Sequence, residues 1–207
     1  ADVGNNEIEK GVLPDSLLHL TFSHHYFKEL KPGVLPSNLK TLYLGDNHDY
    51  HLKPYVLPNT LKILKLGKIF NSEINQNVLP QSLQKIYFGY CFNKPIKEHV
   101  LPNNLKTIIF GNNFNQKVKF PDSVEEIYFG NEFNQNIEPG DLPESLRKLR
   151  IGKYFNQLLN INNLPGFLEE LIIDVDENNK EFDMDIDSLP KSIKYLRIRG
   201  DIIKNKQ

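Results

Sequence analysis

Cysteine is almost absent from this chain. Cys91 stands alone among 207 residues, so no intrachain disulfide can form, and the disulfide-closed ends common in extracellular repeat proteins are excluded. An excess of charge of one sign is lacking too. The 25 Lys and Arg residues against 26 Asp and Glu leave a net charge of −1, which removes the overall footprint of a nucleic-acid or anionic-membrane binder. No apolar run approaches the roughly 18 residues needed to cross a bilayer. Asn is abundant, yet no Asn-x-Ser/Thr acceptor for N-glycosylation occurs. No secretory signal pattern opens the chain, which also starts without Met. These absences predict an intracellular, cytoplasmic protein. Catalytic signatures are missing as well: there is no Gly-x-Ser-x-Gly elbow, phosphate-cradling loop, Cys-x-x-Cys pair or His-Glu-x-x-His. The expectation is a protein that is not an enzyme and carries no cofactor.

What is present is a beat. Pro14, Pro36, Pro58, Pro80, Pro102, Pro121, Pro143, Pro165 and Pro190 are spaced by 22, 22, 22, 22, 19, 22, 22 and 25 residues. A period of about 20–29 residues with recurring leucines is the signature of a leucine-rich-repeat solenoid. Counting from each proline, positions three, six and eight are apolar; the fourth copy reads Leu83, Ile86 and Phe88. Positions six and eight alternate with polar neighbours, as one short half-buried strand per repeat requires. Nine such strands stacked about 4.8 Å apart give a parallel sheet on the order of 40 Å long. Gly45, Gly67, Gly89, Gly111, Gly130 and Gly152 follow the strand at position nine, where a positive φ or a close backbone approach is expected.

Five copies then carry a Phe-Asn pair, from Phe70-Asn71 to Phe155-Asn156. The Phe column is expected to stack inside, and the Asn column to satisfy backbone groups of adjacent turns. Ile74, Ile96, Val118, Ile137 and Leu159 are expected to close the core on the return side. Pro and Asn there disfavour a long helix and predict short 3₁₀ or extended segments.

The Leu-Pro-x-Ser/Asn-Leu openings, the strand ending in Gly and the Phe-Asn-Gln-x-Ile tail, intact from Gly130 to Ile137, resemble the FNIP repeat family. Such repeats are similar to those of social amoebae and of large DNA viruses of protists. There they are often coupled to an F-box, which implies a substrate-recognition arm of a ubiquitin ligase; no segment here resembles an F-box. If the chain is viral, host cytoplasm is the implied location.

The fold expected is therefore a mainly β, right-handed, leucine-rich-repeat-like solenoid with a parallel sheet on its concave face. A single domain spans residues 1–207 with about nine repeats: an N-terminal flank at 1–11, an acidic insertion at 174–188 and a C-terminal capping repeat at 190–207. The lapses at the ends, Ser23 for Gly, Tyr26-Phe27 and His48-Asp49 for Phe-Asn, and Asp174 at position nine of the eighth copy, read as capping, because a terminal repeat must meet water.

Strand positions five and seven should face outward. A band of Tyr43, Tyr87, Ile109 and Tyr128 flanked by Lys65, Lys85 and Arg150 has the composition of an interface centre, although Tyr, Ile and Thr are also simply good strand formers. The expected function is binding of a protein partner at these seven residues. The alternatives are a homodimer and, below both, nucleic acid along Lys40, Lys62, Lys65, Lys85, Lys106, Arg147 and Arg150. Two cation sites rank lower. His24, His25, His48, Asp49 and His51 lie in adjacent repeats but without a fixed ligand spacing. Asp174-x-Asp176-x-Asn178 starts like an EF-hand loop, with Asp185 at its twelfth position, yet it has Asn179 where Gly belongs and no flanking helices.

Overall fold

The computed structural model describes residues 5–176 and 186–205. Each Leu-Pro unit folds into one coil with three tight corners. In the third coil the Pro58 carbonyl accepts from Leu61 N–H at 3.1 Å, Gly67 from Phe70 at 3.1 Å and Asn75 from Val78 at 3.4 Å. Between the first two corners lies the strand. Nine short strands pair in parallel, in sequence order: β1 (His19–Thr21), β2 (Thr41–Tyr43), β3 (Ile63–Lys65), β4 (Lys85–Tyr87), β5 (Thr107–Ile109), β6 (Glu126–Tyr128), β7 (Lys148–Ile151), β8 (Glu170–Ile173) and β9 (Tyr195–Ile198). The register advances by one repeat at every rung, so equivalent positions face each other throughout. The return path is extended with turns, and the one 3₁₀ segment among the described residues is Ile186–Ser188.

The core follows the columns. Position six is fully enclosed from Leu42 to Leu171, and the Phe column buries Phe70, Phe92, Phe114, Phe133 and Phe155. Positions eight and twelve zip together: Phe110 lies 4.0 Å from Phe114 and Phe129 lies 3.6 Å from Phe133, while Phe92 and Phe114 stack at 5.9 Å between coils. In the first coil Tyr26 takes the Phe position, stacked 4.2 Å from Phe22, and in the second His48 does.

Two polar ladders tie neighbouring coils. The side-chain oxygen of Asn71 accepts the backbone N–H of Asn93 at 2.9 Å, and the step repeats at 2.9 Å through Asn93, Asn115 and Asn134. The following Gln donates to the same oxygen, as Gln116 does to Asn93 at 3.1 Å. On the other side of the coil, Ser82, Ser123, Ser145 and Ser192 donate to the carbonyl of the core Leu or Val one coil back at 2.6–2.7 Å. Hence each recurring Asn and Ser answers a backbone group of the neighbouring coil, and each recurring Gln braces the Asn that does so.

The post-strand glycines are held by close approach, not by a positive φ. A Cβ on Gly89 would overlap the carbonyl oxygen of Gly67. Apart from Arg199 and Gly200 in the turn after β9, the positive-φ positions among the described residues lie at the third corner: Gly11, Gly33, Tyr55, Asn77, His99 and Gly140.

Residues 5–13 fold as the second half of a coil. Asn5 accepts from Phe27 N–H at 3.2 Å, Glu7 pairs with Lys31, Ile8 is buried, and Gly11 has φ +86, each 22 residues before its equivalent in the next coil. The short 19-residue spacing removes the third corner after Val118. Phe120 fills the space that Val100 and Leu101 fill one coil earlier, packing edge-on against Phe110 and Phe129 at 6.4 and 6.3 Å. Behind the ninth coil, β10 (Asp201–Asn205) turns back antiparallel to β9 with a bulge between Ile202 and Lys204, an edge that the sequence pattern did not foretell. The three extra residues of the last spacing fall in a span that includes 177–185, so most of the acidic insertion lies outside the described residues.

Candidate functional site

Strand alternation turns positions five and seven outward, and the constant register lines them up in two columns. The first runs Tyr43, Lys65, Tyr87, Ile109, Tyr128, Arg150, one residue per rung. Lys85 lies in the second column, between Ile63 and Thr107. The structure thus places all seven sequence-derived candidates on one face. Their electrostatic surroundings differ.

On β6–β9 the charges consume each other. Lys148 stands 3.7 Å from Glu126 and 3.6 Å from Glu170; Asp174 receives Arg150 at 2.7 Å and Arg197 at 2.8 Å. Beside these columns, at position four, Lys106 holds Glu125 at 2.6 Å and Lys194 holds Glu169 at 2.7 Å. Tyr128 lies 3.4 Å from Glu126, and burial first, then the nearby Glu126 and Glu170 carboxylates, push its phenol up to about 12. Arg150 and Tyr128 therefore belong to an internal network. Its anchor, Asp174, sits at position nine of the eighth copy, outside the two columns.

On β2–β4 the pattern reverses. Lys40, Lys62, Lys65 and Lys85 have no carboxylate within ion-pair distance among the described residues. The Lys85 ammonium sits 5.1 Å from the centre of the Tyr87 ring, a cation–π geometry.

The histidine group does not gather. His24 binds Asp46 at 2.8 Å on the surface, His51 reaches Asn75 at 3.5 Å, and His48 is sealed in the aromatic column, 6.4 Å from Tyr26. Among the described residues, no three His, Cys, Asp or Glu side chains converge as a metal site would. Of the EF-hand-like run, Asp174 serves the arginines and Asp176 pairs with Lys153 at 2.9 Å; Asn178, Asn179 and Asp185 lie outside the described residues. No described helix is long and apolar enough to cross a membrane.

A family model described as FNIP Repeat matches residues 5–47, 26–69, 48–91, 92–132 and 133–176. The chain belongs to the FNIP repeat family. Four of the five matched segments start at the Phe column and the other one residue later, at Asn5, the phase in which the first described half-coil also starts. No curated protein matches the chain. A solved structure, "The crystal structure of CroV588 a novel circular LRR protein structure", from a giant virus, is similar with a TM-score of 0.77 and 36% identity over 93% of this chain. This FNIP chain spans about a third (32%) of the length of the CroV588 chain.

Proposed function

We propose that this FNIP chain is a non-enzymatic, cytoplasmic scaffold that binds a protein partner on the outward face of its sheet, at Tyr43, Lys65, Lys85, Tyr87, Ile109, Tyr128 and Arg150. One observation carries the reading. The recurring Leu, Phe, Asn, Gln and Ser columns are consumed by core or ladder, whereas the two outward columns form a continuous strip that includes aromatic and basic side chains, the types enriched at interface centres. The leucine-rich-repeat neighbour, at 36% identity, supports a scaffold role, and the family resemblance extends it to a substrate-recognition arm acting with a ubiquitin ligase subunit in trans. The test replaces Tyr43, Tyr87 and Tyr128 with Ser and repeats affinity capture with mass spectrometry from cell extract. Loss of a specific set of proteins is expected; their full retention by the folded variant would move the binding surface elsewhere.

A homodimer is the second reading, and a specific feature favours it. Among the described residues β1 has no strand on its outer side. Leu17 and Leu20, whose equivalents are fully enclosed in the interior coils, are only partly buried there. A coil stacked there, from a second copy of this chain or from any segment preceding these residues, would complete the burial of those columns. Sedimentation equilibrium across micromolar concentrations decides it: a strict monomer removes this reading.

A further inference from the structure

Resting on the sheet-face reading above, we infer that within that strip the electrostatic recognition falls to the N-terminal half of the face, β2–β4, and that the partner it takes is an Asp/Glu-rich protein segment. The four-residue runs at positions four to seven of the first four coils, 18–21, 40–43, 62–65 and 84–87, contain four lysines and no carboxylate. The corresponding runs on β6 and β8 contribute Glu125, Glu126, Glu169 and Glu170, each facing a base one rung away. A chain of net charge −1 has thus sorted its charge: one half of the face is self-neutralised, the other is left cationic.

The self-neutralised half offers a partner little net charge, since each of these carboxylates already faces a base. The other half presents Lys65 between Tyr43 and Tyr87 in the first column and Lys85 in the second, with Lys40 and Lys62 beside the columns at position four. The rungs lie about 4.8 Å apart, close to the roughly 5–6 Å between the Cβ atoms of residues three or four apart on a helix. Carboxylates arriving there meet ammonium groups without a competitor and apolar ring faces beside them, so charge complementarity sets the choice of partner and the encounter rate. Nucleic acid is the weaker fit, because four cations fall short of the roughly 6–10 phosphate contacts that carry salt-sensitive binding, and the sequence pI is 6.7.

Fluorescence anisotropy with defined probes tests this: a fluorescein-labelled peptide alternating Glu and Tyr, its Gln/Tyr counterpart, and a single-stranded oligothymidine. The Glu/Tyr peptide is expected to bind the intact chain in low salt and to weaken as salt rises. The triple variant Lys62→Glu, Lys65→Glu, Lys85→Glu should lose about tenfold or more in affinity, while Lys194→Gln on the neutralised half leaves it unchanged. Circular dichroism melts matching the parent keep a folding defect from mimicking the result. No binding of the Glu/Tyr peptide, an equal loss with Lys194→Gln, or tighter binding of the oligothymidine would each overturn the inference. Equal binding of both peptides, lost in Tyr43→Ser with Tyr87→Ser, overturns the acidic preference and leaves the sheet-face reading standing. Capture from extract that survives the Tyr variants overturns the sheet-face reading itself.

Discussion

His48 occupies a phenylalanine's place with an imidazole's chemistry. It is 0% exposed, and neither ring nitrogen has a hydrogen-bond partner among the described residues. Burial lowers its pKa from the ordinary 6.5, against the weaker pull of Asp49 and of nearby backbone groups. The proton therefore prefers the unfolded chain. The stability tied to neutral His48 is complete above about pH 6.5 and is lost as pH falls from there toward the depressed folded value. Hydrogen-exchange protection factors of the first two coils, corrected for the intrinsic pH dependence of exchange, should fall over that interval. His48→Phe should remove that dependence and add about 1 kcal/mol; an unchanged pH profile would mean another group controls it. Tyr55 carries a different local cost, φ +67 on a side chain that is 81% exposed. Tyr55→Gly is expected to stabilise by roughly 0.5–1 kcal/mol, read as a higher melting temperature. Both features were partly legible. The His48 substitution shows in the column count, but its enclosure does not. The third-corner column mixes Gly, Tyr, Asn and His, so no single residue type marks the left-handed turn in the sequence.

At the scale of the element, the Asn ladder makes each coil the template for the next. Asn115 accepts Asn134 N–H at 2.9 Å and Gln135 at 3.0 Å. Asn115→Ala should cost roughly 1–3 kcal/mol in urea unfolding, the penalty of stranding a buried N–H. Asn115→Asp should cost less, because Asp49 already fills the same role, accepting Asn71 N–H at 2.9 Å. Equal losses would show that the acceptor oxygen is not what matters. The truncated corner leaves a cavity of about 40 Å³ lined in part by Val118, Phe120, Phe133 and Ile137. Val118 stands where neighbouring coils have Ile96 and Ile137, so Val118→Ile should gain up to about 1 kcal/mol by restoring one buried methylene. The apolar columns, the Phe stack and the Asn ladder were readable because each depends on one repeat seen many times. Antiparallel β10 occurs once, and a feature without copies gives the count nothing to average. The seven site residues were legible for the same reason the core was, but the ion pair from Asp174 that occupies Arg150 and the Glu126 carboxylate that accepts from Tyr128 join different columns and stay hidden until the strands are in place.

For the whole molecule, each coil touches only its neighbours, and the strand contacts run strictly in sequence order. Stability in such an array is close to a sum of coil and interface terms. Phe114 stacks on Phe92 and Phe110, so Phe114→Ala should cost roughly 3–5 kcal/mol. That loss in the centre should uncouple the two halves, giving a broadened or two-step calorimetric transition where the parent gives one. A single sharp transition shifted downward would instead mean that cooperativity spans all nine coils.

The half-coil at residues 5–13 sets the grammar for cutting and splicing this chain. The Leu-Pro that punctuates the sequence falls in the middle of the structural unit, which opens at Phe-Asn. A cassette removed from Asn5 to Tyr26 would bring Phe27 and Glu29 into the places of Asn5 and Glu7, with Glu29 already paired to Lys53 at 2.6 Å as Glu7 is paired to Lys31 at 3.0 Å. A cassette cut at the prolines would instead divide a coil between its strand and its return segment. This chain is therefore expected to tolerate gain or loss of whole turns of about 22 residues, and graft junctions placed at the Phe column should pass unnoticed by the fold.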